Sequence, residues 1–368
     1  MSRADTAPRV VVIGAGSHIF AAAHVPALAR AGARVVGVHD ADRARAAALA
    51  AEHGWHLAAD LDELLAIDAD IAVVTTPHPR HAEHAIVALE AGRHVLIEKP
   101  VAARPSEARR IAEAARRSGR VAAVALQHRF RREAVRAREL IDSGAIGAVH
   151  RAVVVATYPK RAAYYTAAPW RGTWAGEAGG VLLNQGHHDL DLIVHLLGVP
   201  IRAFGWTRTR AMPIETEDTV EAILEWASGT LGSVHVTSAA SDSPHRVEVV
   251  GTAGTLRILN GQIEVTRHGV DAREFAEADG GPFDAFPHGE PVIEGGGGGS
   301  HDEVYADLFA AIRECRSPRA SAADAIAVLD VHAAIVLASA SGAAVAVPPD
   351  PSAYDRLLDQ NIAKGAAR

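Results

Sequence analysis

The sequence predicts an α/β protein in two parts: a doubly wound parallel sheet with helices on both faces, then an α+β part built on a mostly antiparallel sheet. Three observations carry this. Up to residue 126, short and continuously apolar runs alternate with helix-length segments, as strands buried on both faces do when crossover helices join them. Beyond Gly147 the runs alternate apolar with polar residues and are separated by short turns, as in a sheet with one wet face. The length of 368 residues exceeds one average domain. We assign residues 8–126 to the first domain and 127–368 to the second.

In the first domain, residues 10–13 form a strand that runs into Gly14-Ala15-Gly16. "AAAHVPALARAG" is a helix ending at Gly32, and Pro26 disturbs its early turns because proline lacks an N–H and its ring crowds the turn before it. "ARVVGVHD" is a second strand, ending at Asp40. "ADIAVVTTPHPRHAEHAIVALEAG" gives a strand, a Thr-Thr-Pro turn and a helix closing at Gly92. "RHVLIEKPVA" is a strand, "PSEARRIAEAARRSG" a helix opened by Pro105 and Ser106 and closed by Gly119, and "RVAAVALQHRF" a further strand. In the second domain "AVHRAVVVATY", "VEAILEWASGTLGSVHVTSAA" and "HRVEVVGTAGTLRILNGQIEVTRHG" are strands, with hairpin signals at residues 252–254 and at Asn260 and Gly261. Between them lies "YYTAAPWRGTWAGEAGGVLLNQGHHDLDLIVHLLG", a loop followed by a helix over residues 181–197. "EADGGPFDAFPHGEPVIEGGGGGS" is the one low-complexity segment, expected to be a mobile loop or a subunit contact, and the polar tail from Pro348 is expected to fray or dock.

Composition narrows the function classes. A net charge of -7 argues against nucleic acid and against an anionic membrane surface, both of which favour basic proteins. The single cysteine, Cys315, allows no internal disulfide and no zinc cluster, so a reducing compartment is expected. The polar start "MSRADTAPRV" is no secretory signal, and no apolar run is read as approaching the roughly 18–20 residues that span a bilayer. The expected location is the cytoplasm.

Strand, glycine turn, helix, strand and acidic residue is the dinucleotide-binding layout. Gly14 and Gly16 let the backbone approach a pyrophosphate at a helix N-terminus, and Asp40 is placed to accept ribose hydroxyls and to repel a 2′-phosphate. NAD is therefore favoured over NADP. The third glycine of the fingerprint is missing, with Ile19 in its place. Ligands bind such sheets at the carboxyl ends of the strands, and there the reading clusters Gly14, Gly16, Ser17, Asp40, Thr75, Thr76, Pro77, His81, Glu98, Lys99 and Gln127 as cofactor residues. Glu98 and Lys99 are either a plain salt bridge or a functional pair. Lys99 is one of only three lysines, beside Lys160 and Lys364. Its apolar flanks at the ligand rim favour a shifted pKa and a working role.

The densest chemistry lies in "NQGHHDLDLIVH". On a continuous helix Asn184, His188, Asp191 and His195 share one face and His187 points elsewhere. A metal site from His188, Asp191 and His195 is one reading, but one helix rarely supplies a full ligand set and no second His/Asp cluster is evident, so no metal is expected. Satisfied buried polar groups are the reading for His187 and His195. For His188 a catalytic base leads, since an imidazole can take a hydroxyl proton as the adjacent carbon gives up hydride. Tyr158, Trp170, Arg171 and Trp174 offer aromatic faces and a forked donor to a polar substrate, although "PWRGTW" serves equally as a packed loop. His301 opens the last helix after the glycine run and either reaches a site or is a helix-start residue, the reading favoured here.

Taken together, "VVTTPHPRHAEHAIVALEAGRHVLIEKPVA", "LQHRF", "LIDSGAIGAVH", "GGVLLNQGHHDLDLIVHLLG" and the C-terminal "HDEVYADLFAAIRECRSPRASAADAIAVLDVHAAIVLASASGAAVAVP" resemble the Gfo/Idh/MocA oxidoreductases over nearly the whole chain. The resemblance implies a Rossmann domain, a second domain with a large open-faced sheet that packs against partner subunits in a homodimer or homotetramer, a nicotinamide cofactor, and a sugar, glycoside or cyclitol substrate. It implies Lys99 and His188 as catalytic residues, and Asn184 stands where inositol dehydrogenases of the family usually carry aspartate. An amide binds a hydroxyl but carries no proton, which points away from simple inositol dehydrogenation. Two further activities occur among such relatives: glycoside hydrolysis through transient oxidation, and non-catalytic ligand sensing, against which Lys99, Pro100 and His188 argue.

Overall fold

The computed structural model describes residues 7–240 and 244–367. The polar N-terminal residues 1–6, part of the stretch read as no signal, lie outside the described residues.

Six strands, β1 (Arg9–Ile13), β2 (Arg34–His39), β3 (His56–Leu57), β4 (Ile71–Val74), β5 (His94–Ile97) and β6 (Ala122–Val124), form an all-parallel sheet in the order β3-β2-β1-β4-β5-β6. The order reverses between β1 and β4, and this switch point opens a crevice at the strand carboxyl ends. The apolar runs are buried as expected: Val10, Val11, Val12, Ile71, Val73, Val95 and Leu96 are all within the core.

The helix after β1 differs from expectation. It opens with a wide π-type turn, Phe20–His24, before an α-helical Val25–Arg30. Pro26 cannot donate to the carbonyl one turn back, and the widened turn absorbs that loss. The same turn aims His24 into the protein.

The second sheet has nine strands. They are β7 (Val149–Thr157), β8 (Arg202–Arg208), β9 (Thr219–Glu225), β10 (Leu231–Thr237), β11 (Arg246–Gly251), β12 (Gly254–Leu259), β13 (Gln262–Arg267), β14 (Val292–Gly295) and β15 (Val345–Ala346), in the order β14-β13-β12-β11-β7-β10-β9-β8-β15. All pairs are antiparallel except β7 with β10. Asn260 and Gly261 take φ of 51° and 74°, the double left-handed turn that a two-residue hairpin requires.

One expectation changes and another is decided between its two alternatives. Part of the low-complexity segment is ordered as β14, and its glycine run packs on the helix Arg132–Asp142: Gly297 donates to Glu133 Oε2 at 2.9 Å and accepts from the Arg132 N–H at 2.9 Å. The tail docks as the helix Pro351–Ala366, burying Tyr354 and Leu358 in the core of the parallel sheet.

The last third of the chain also returns to the first sheet. Val124 donates to the Ala320 carbonyl at 2.9 Å, extending the β6 edge. The helix Ala322–Ser341 gives Ala325, Leu329 and Ala333 to the first core and Val328, Val331 and Ile335 to the second. Apolar on two stripes, this 20-residue helix contains an 18-residue window of mean hydropathy 1.7, long and apolar enough to cross a membrane, contrary to the reading that no run approaches that length. It is 67% buried inside the protein, and this is how a helix shared between two cores must look. Asp330 and His332 break the apolar run in sequence but find Arg109 at 3.0 Å and the Tyr354 hydroxyl at 3.2 Å.

Candidate active site

A cleft of about 900 Å³ opens at the switch point. Gly14 lies beneath it with φ of 100°, and a Cβ there would sit 2.6 Å from Thr76 N, so only glycine lets the β1 turn press on the end of β4. Gly16 donates its N–H to Asp40 Oδ2 at 2.8 Å, and Thr75 Oγ1 donates to the Gly14 carbonyl at 2.8 Å. Gly16, Ser17, Asp40, Thr75, Thr76, Pro77, His81, Glu98, Lys99 and Gln127 line the cleft, joined at its rim by Ile19, Asp42 and Arg45. The glycine turn, the carboxylate at the end of β2 and the open crevice fit a dinucleotide with free ribose hydroxyls.

His81 and Glu98 are each held by two or more partners within the protein. The His81 ring is held between the carbonyls of Pro100 and Thr76, 2.7 Å from each. Glu98 Oε1 lies 2.9 Å from His24 Nε2 and 3.0 Å from His301 Nε2, and Oε2 accepts the Lys99 N–H at 3.1 Å. Burial pushes the Glu98 carboxyl up, yet the hydrogen bonds from His24 and His301 outweigh it and hold the group well below the ordinary range. His24, Glu98 and His301 offer three ligand atoms within 4.8 Å of one another, so a second histidine–carboxylate cluster exists where none was read. Its groups satisfy each other, and the Tyr305 hydroxyl takes His24 Nδ1 at 2.7 Å. His301 is thus a partner of Glu98 as well as a helix-start residue.

A second cavity, of about 510 Å³, adjoins the cleft. Lys99, Asn184 and His188 line both. Lys99 Nζ donates to the Asn184 carbonyl at 2.8 Å and to its Oδ1 at 3.3 Å. Burial pulls the ammonium below its ordinary pKa, against the pull of Glu98 and Glu177. The Asn184 amide is oriented from its other side: Nδ2 donates to Glu177 Oε1 at 2.7 Å, while Glu177 Oε2 accepts the Gly172 N–H at 2.6 Å. The His188 ring stacks on His128 with centroids 4.2 Å apart. Burial, then the charges of His128 and Lys99, drive its pKa well below 6.5. His188 is a neutral imidazole at neutral pH, with Nδ1 buried and without a partner among the described residues.

The single helical face read from the sequence is broken. The helices Val181–Asn184 and His187–Leu197 are separate, and Gly186 between them packs so tightly on β10 that a Cβ would meet Val236 at 2.7 Å. The cavity-facing residues of the second helix are His188, Asp189 and Leu192. Asp191 is instead fully buried in an ion pair with Arg129, at 2.6 Å from Nη2 and 2.9 Å from Nε, and His195 and His187 line neither cavity.

Of the remaining candidates, Tyr158 lines the second cavity and donates to Asp189 Oδ2 at 2.7 Å. Arg171 lies on the cofactor side, its guanidinium 4.2 Å from the Tyr164 ring centroid and 4.6 Å from that of Trp170. Trp174 lines neither cavity: it begins the short helix Trp174–Glu177 and packs against the first core. Sequence reading missed Glu177, His128, Arg131, Lys160, Asp189 and His245. The scarcity of lysine was a usable signal for Lys160, and Asp189 sat unremarked inside the histidine-rich stretch. His245 reaches Asp189 Oδ1 at 2.6 Å across 56 residues of chain, which local spacing does not reveal.

A parallel sheet with this cleft at its switch point and a lysine and a neutral histidine at the cleft's inner end defines a nicotinamide-dependent oxidoreductase. Residues 8–126 match the oxidoreductase family with an NAD-binding Rossmann fold, and residues 134–257 match the GFO/IDH/MocA C-terminal domain. The chain belongs to the GFO/IDH/MocA oxidoreductases, and its cofactor is NAD. It is 32% identical to inositol 2-dehydrogenase 2 of Saccharopolyspora erythraea over 275 residues, 72% of this chain and 77% of that protein. It is 34% identical to D-glucoside 3-dehydrogenase of Escherichia coli over 197 residues, 52% of this chain and 54% of that protein. The WlbA dehydrogenase of Bordetella pertussis, solved with NADH and UDP-GlcNAcA, superposes with a TM-score of 0.80 at 26% identity, covering 94% of this chain and 99% of that one.

Proposed function

We propose that the chain transfers hydride between NAD and a secondary hydroxyl of a sugar, glycoside or cyclitol, with residues 8–126 holding the nucleotide and residues 127–368 supplying the substrate site. The observation that supports this is the shared lining: Lys99, Asn184 and His188 stand where the nucleotide cleft meets the second cavity, so a carbon between them faces both. The cofactor supplies the hydride acceptor. Neutral His188 takes the hydroxyl proton through Nε2, and the Lys99 ammonium steadies the negative charge developing on the oxygen. The substrate's C–H and O–H bonds break and its carbonyl forms, and the imidazolium on His188 would offset the positive charge that a bound nicotinamide would lose on taking the hydride. Asn184 hydrogen-bonds the hydroxyl without titrating.

A homodimer or homotetramer fits the second sheet, whose outer face leaves Trp206 at 47%, Ile223 at 51% and Leu231 at 53% exposure, an apolar surface of the kind partners cover. The free, exposed thiol of Cys315 suits a reducing cytoplasm. The test is to supply NAD, and separately NADP, with a panel of inositols, free sugars and glycosides, following reduced nicotinamide by absorbance and products by mass. NADH formed with one sugar class, and little NADPH, is the expected result. Glycoside cleavage without NADH contradicts the proposal.

A further inference from the structure

The second cavity holds more positive charge than hydride transfer from a neutral sugar uses. Lys99, Arg131 and Lys160 all open onto it, and among the described residues Asp189 is its one lining carboxylate. Both Asp189 oxygens are taken, one by the Tyr158 hydroxyl at 2.7 Å and the other by His245 Nε2 at 2.6 Å. Burial opposes the charge on His245, but the Asp189 hydrogen bond raises its pKa, so the two form a charge-compensated pair. Asp189 is therefore no counterion for the other cations.

Arg131 and Lys160 have none among the described residues. Arg131 Nη2 donates to His128 Nε2 at 2.8 Å, and the Lys160 ammonium lies 5.0 Å from the Tyr164 ring centroid. The contrast is local, because the neighbouring Arg129 is held by Asp191 and by Asp324 at 3.4 Å. In a chain with 44 acidic residues against 37 basic ones, two half-buried cations left unpaired in one cavity constitute an anion site. A guanidinium presents a planar fork that fits a carboxylate or a phosphate at two points, and an ammonium adds a point charge. Hydroxyls of a neutral sugar need neither. The cavity's size falls within the range of small-molecule sites, with room for a monosaccharide and a charged substituent.

We propose that the substrate is an anionic sugar whose carboxylate or phosphate is bound by Arg131 and Lys160 while Lys99 and His188 act on a hydroxyl elsewhere on the ring. This rests on the dehydrogenase reading and narrows its substrate class. The two cations add no chemistry to the reacting carbon. They fix which end of the sugar enters, and their field concentrates anions at the mouth.

Calorimetric titration of the NADH-bound protein tests this without turnover. Glucuronate, galacturonate and mannuronate, and the matching hexose 6-phosphates, are compared with glucose, galactose and mannose. We expect at least one acidic sugar to bind about tenfold or more tighter than its neutral partner, with the preference shrinking as salt is raised. A uronate preference identifies a carboxylate, a hexose phosphate preference a phosphate. In Arg131→Gln and in Lys160→Gln the preference contracts severalfold, while neutral sugars move little. Lys160, on the loop after β7, keeps the test sound if Arg131→Gln disturbs the glycine run packed on Arg131. Acidic sugars that bind no tighter than neutral ones, or a preference that survives both substitutions, overturn the inference. Absence of NADH with every sugar is a separate outcome: it overturns the dehydrogenase reading and leaves the charge preference measurable.

Discussion

At the scale of single residues, the site is a chain of orientation that begins with Glu177. Its carboxylate fixes the Asn184 amide, and the amide oxygen and carbonyl of Asn184 then fix Lys99. Burial raises the Glu177 pKa, and the Gly172 N–H and Arg171 work against it. Replacing Glu177 with Ala frees the amide to flip and is expected to cost about 1–2 kcal/mol of transition-state binding, roughly tenfold in kcat/KM. Glu177→Gln keeps an acceptor and restores most of it. Steady-state kinetics decide this, and an Ala variant as fast as the parent would mean that Lys99 and the Tyr164 hydroxyl, 3.3 Å from Nδ2, suffice to hold the Asn184 amide. Lys99 was legible in the sequence as a strand-end residue, and Asn184 and His188 as polar groups of one dense stretch, because both are local signals. Glu177 was not, since its role depends on a loop folding back to within hydrogen-bond reach.

At the scale of elements, the break between Val181–Asn184 and His187–Leu197 decides which polar residues face the site. A continuous helix would have aligned Asn184, His188, Asp191 and His195. Gly186 against β10 resets the phase, and Asp191 becomes the buried partner of Arg129. The periodicity was readable, but the close approach that interrupts it is tertiary. Asp191→Ala leaves the Arg129 guanidinium buried without its two-point partner and is expected to lower unfolding free energy by about 3–5 kcal/mol. Denaturant titration measures it. A loss below about 1 kcal/mol would show that Asp324, also near Arg129, suffices. The parallel strands were read closely because buried apolar runs admit few other placements. The docking of the last helices onto the first domain was missed, because apolar stripes do not name the core they enter.

At the scale of the whole molecule, buried histidines set the acid limit. Burial first of all depresses His78 and His332 to about 3 and His84, His128 and His195 to about 4. Each binds a proton in the unfolded chain below about 6.5 and refuses it in the folded one, so stability is complete above that pH and is lost as pH falls toward 4. Asp191 and Glu217, raised by burial to about 6 and about 7, work in the opposite sense between about 4 and 7 but are outnumbered. Thermal melts from pH 8 to pH 4 should therefore show Tm falling through this window, and a flat profile would mean that the rings are hydrated. The open sheet face gives a second expectation: Ile223→Glu with Leu231→Glu should shift the protein from dimer or tetramer to monomer in sedimentation, and a monomeric parent would contradict the proposed assembly. The central claim is that Lys99 and His188 do chemistry at the junction of two cavities and do not merely shape the nucleotide cleft. It is tested most directly by comparing NAD affinity and single-turnover NADH formation in the parent, Lys99→Ala and His188→Ala. Hydride transfer should be slower by about 10²-fold or more in each variant, with NAD binding within a few-fold of the parent. Transfer at near parental rate in either variant would contradict it.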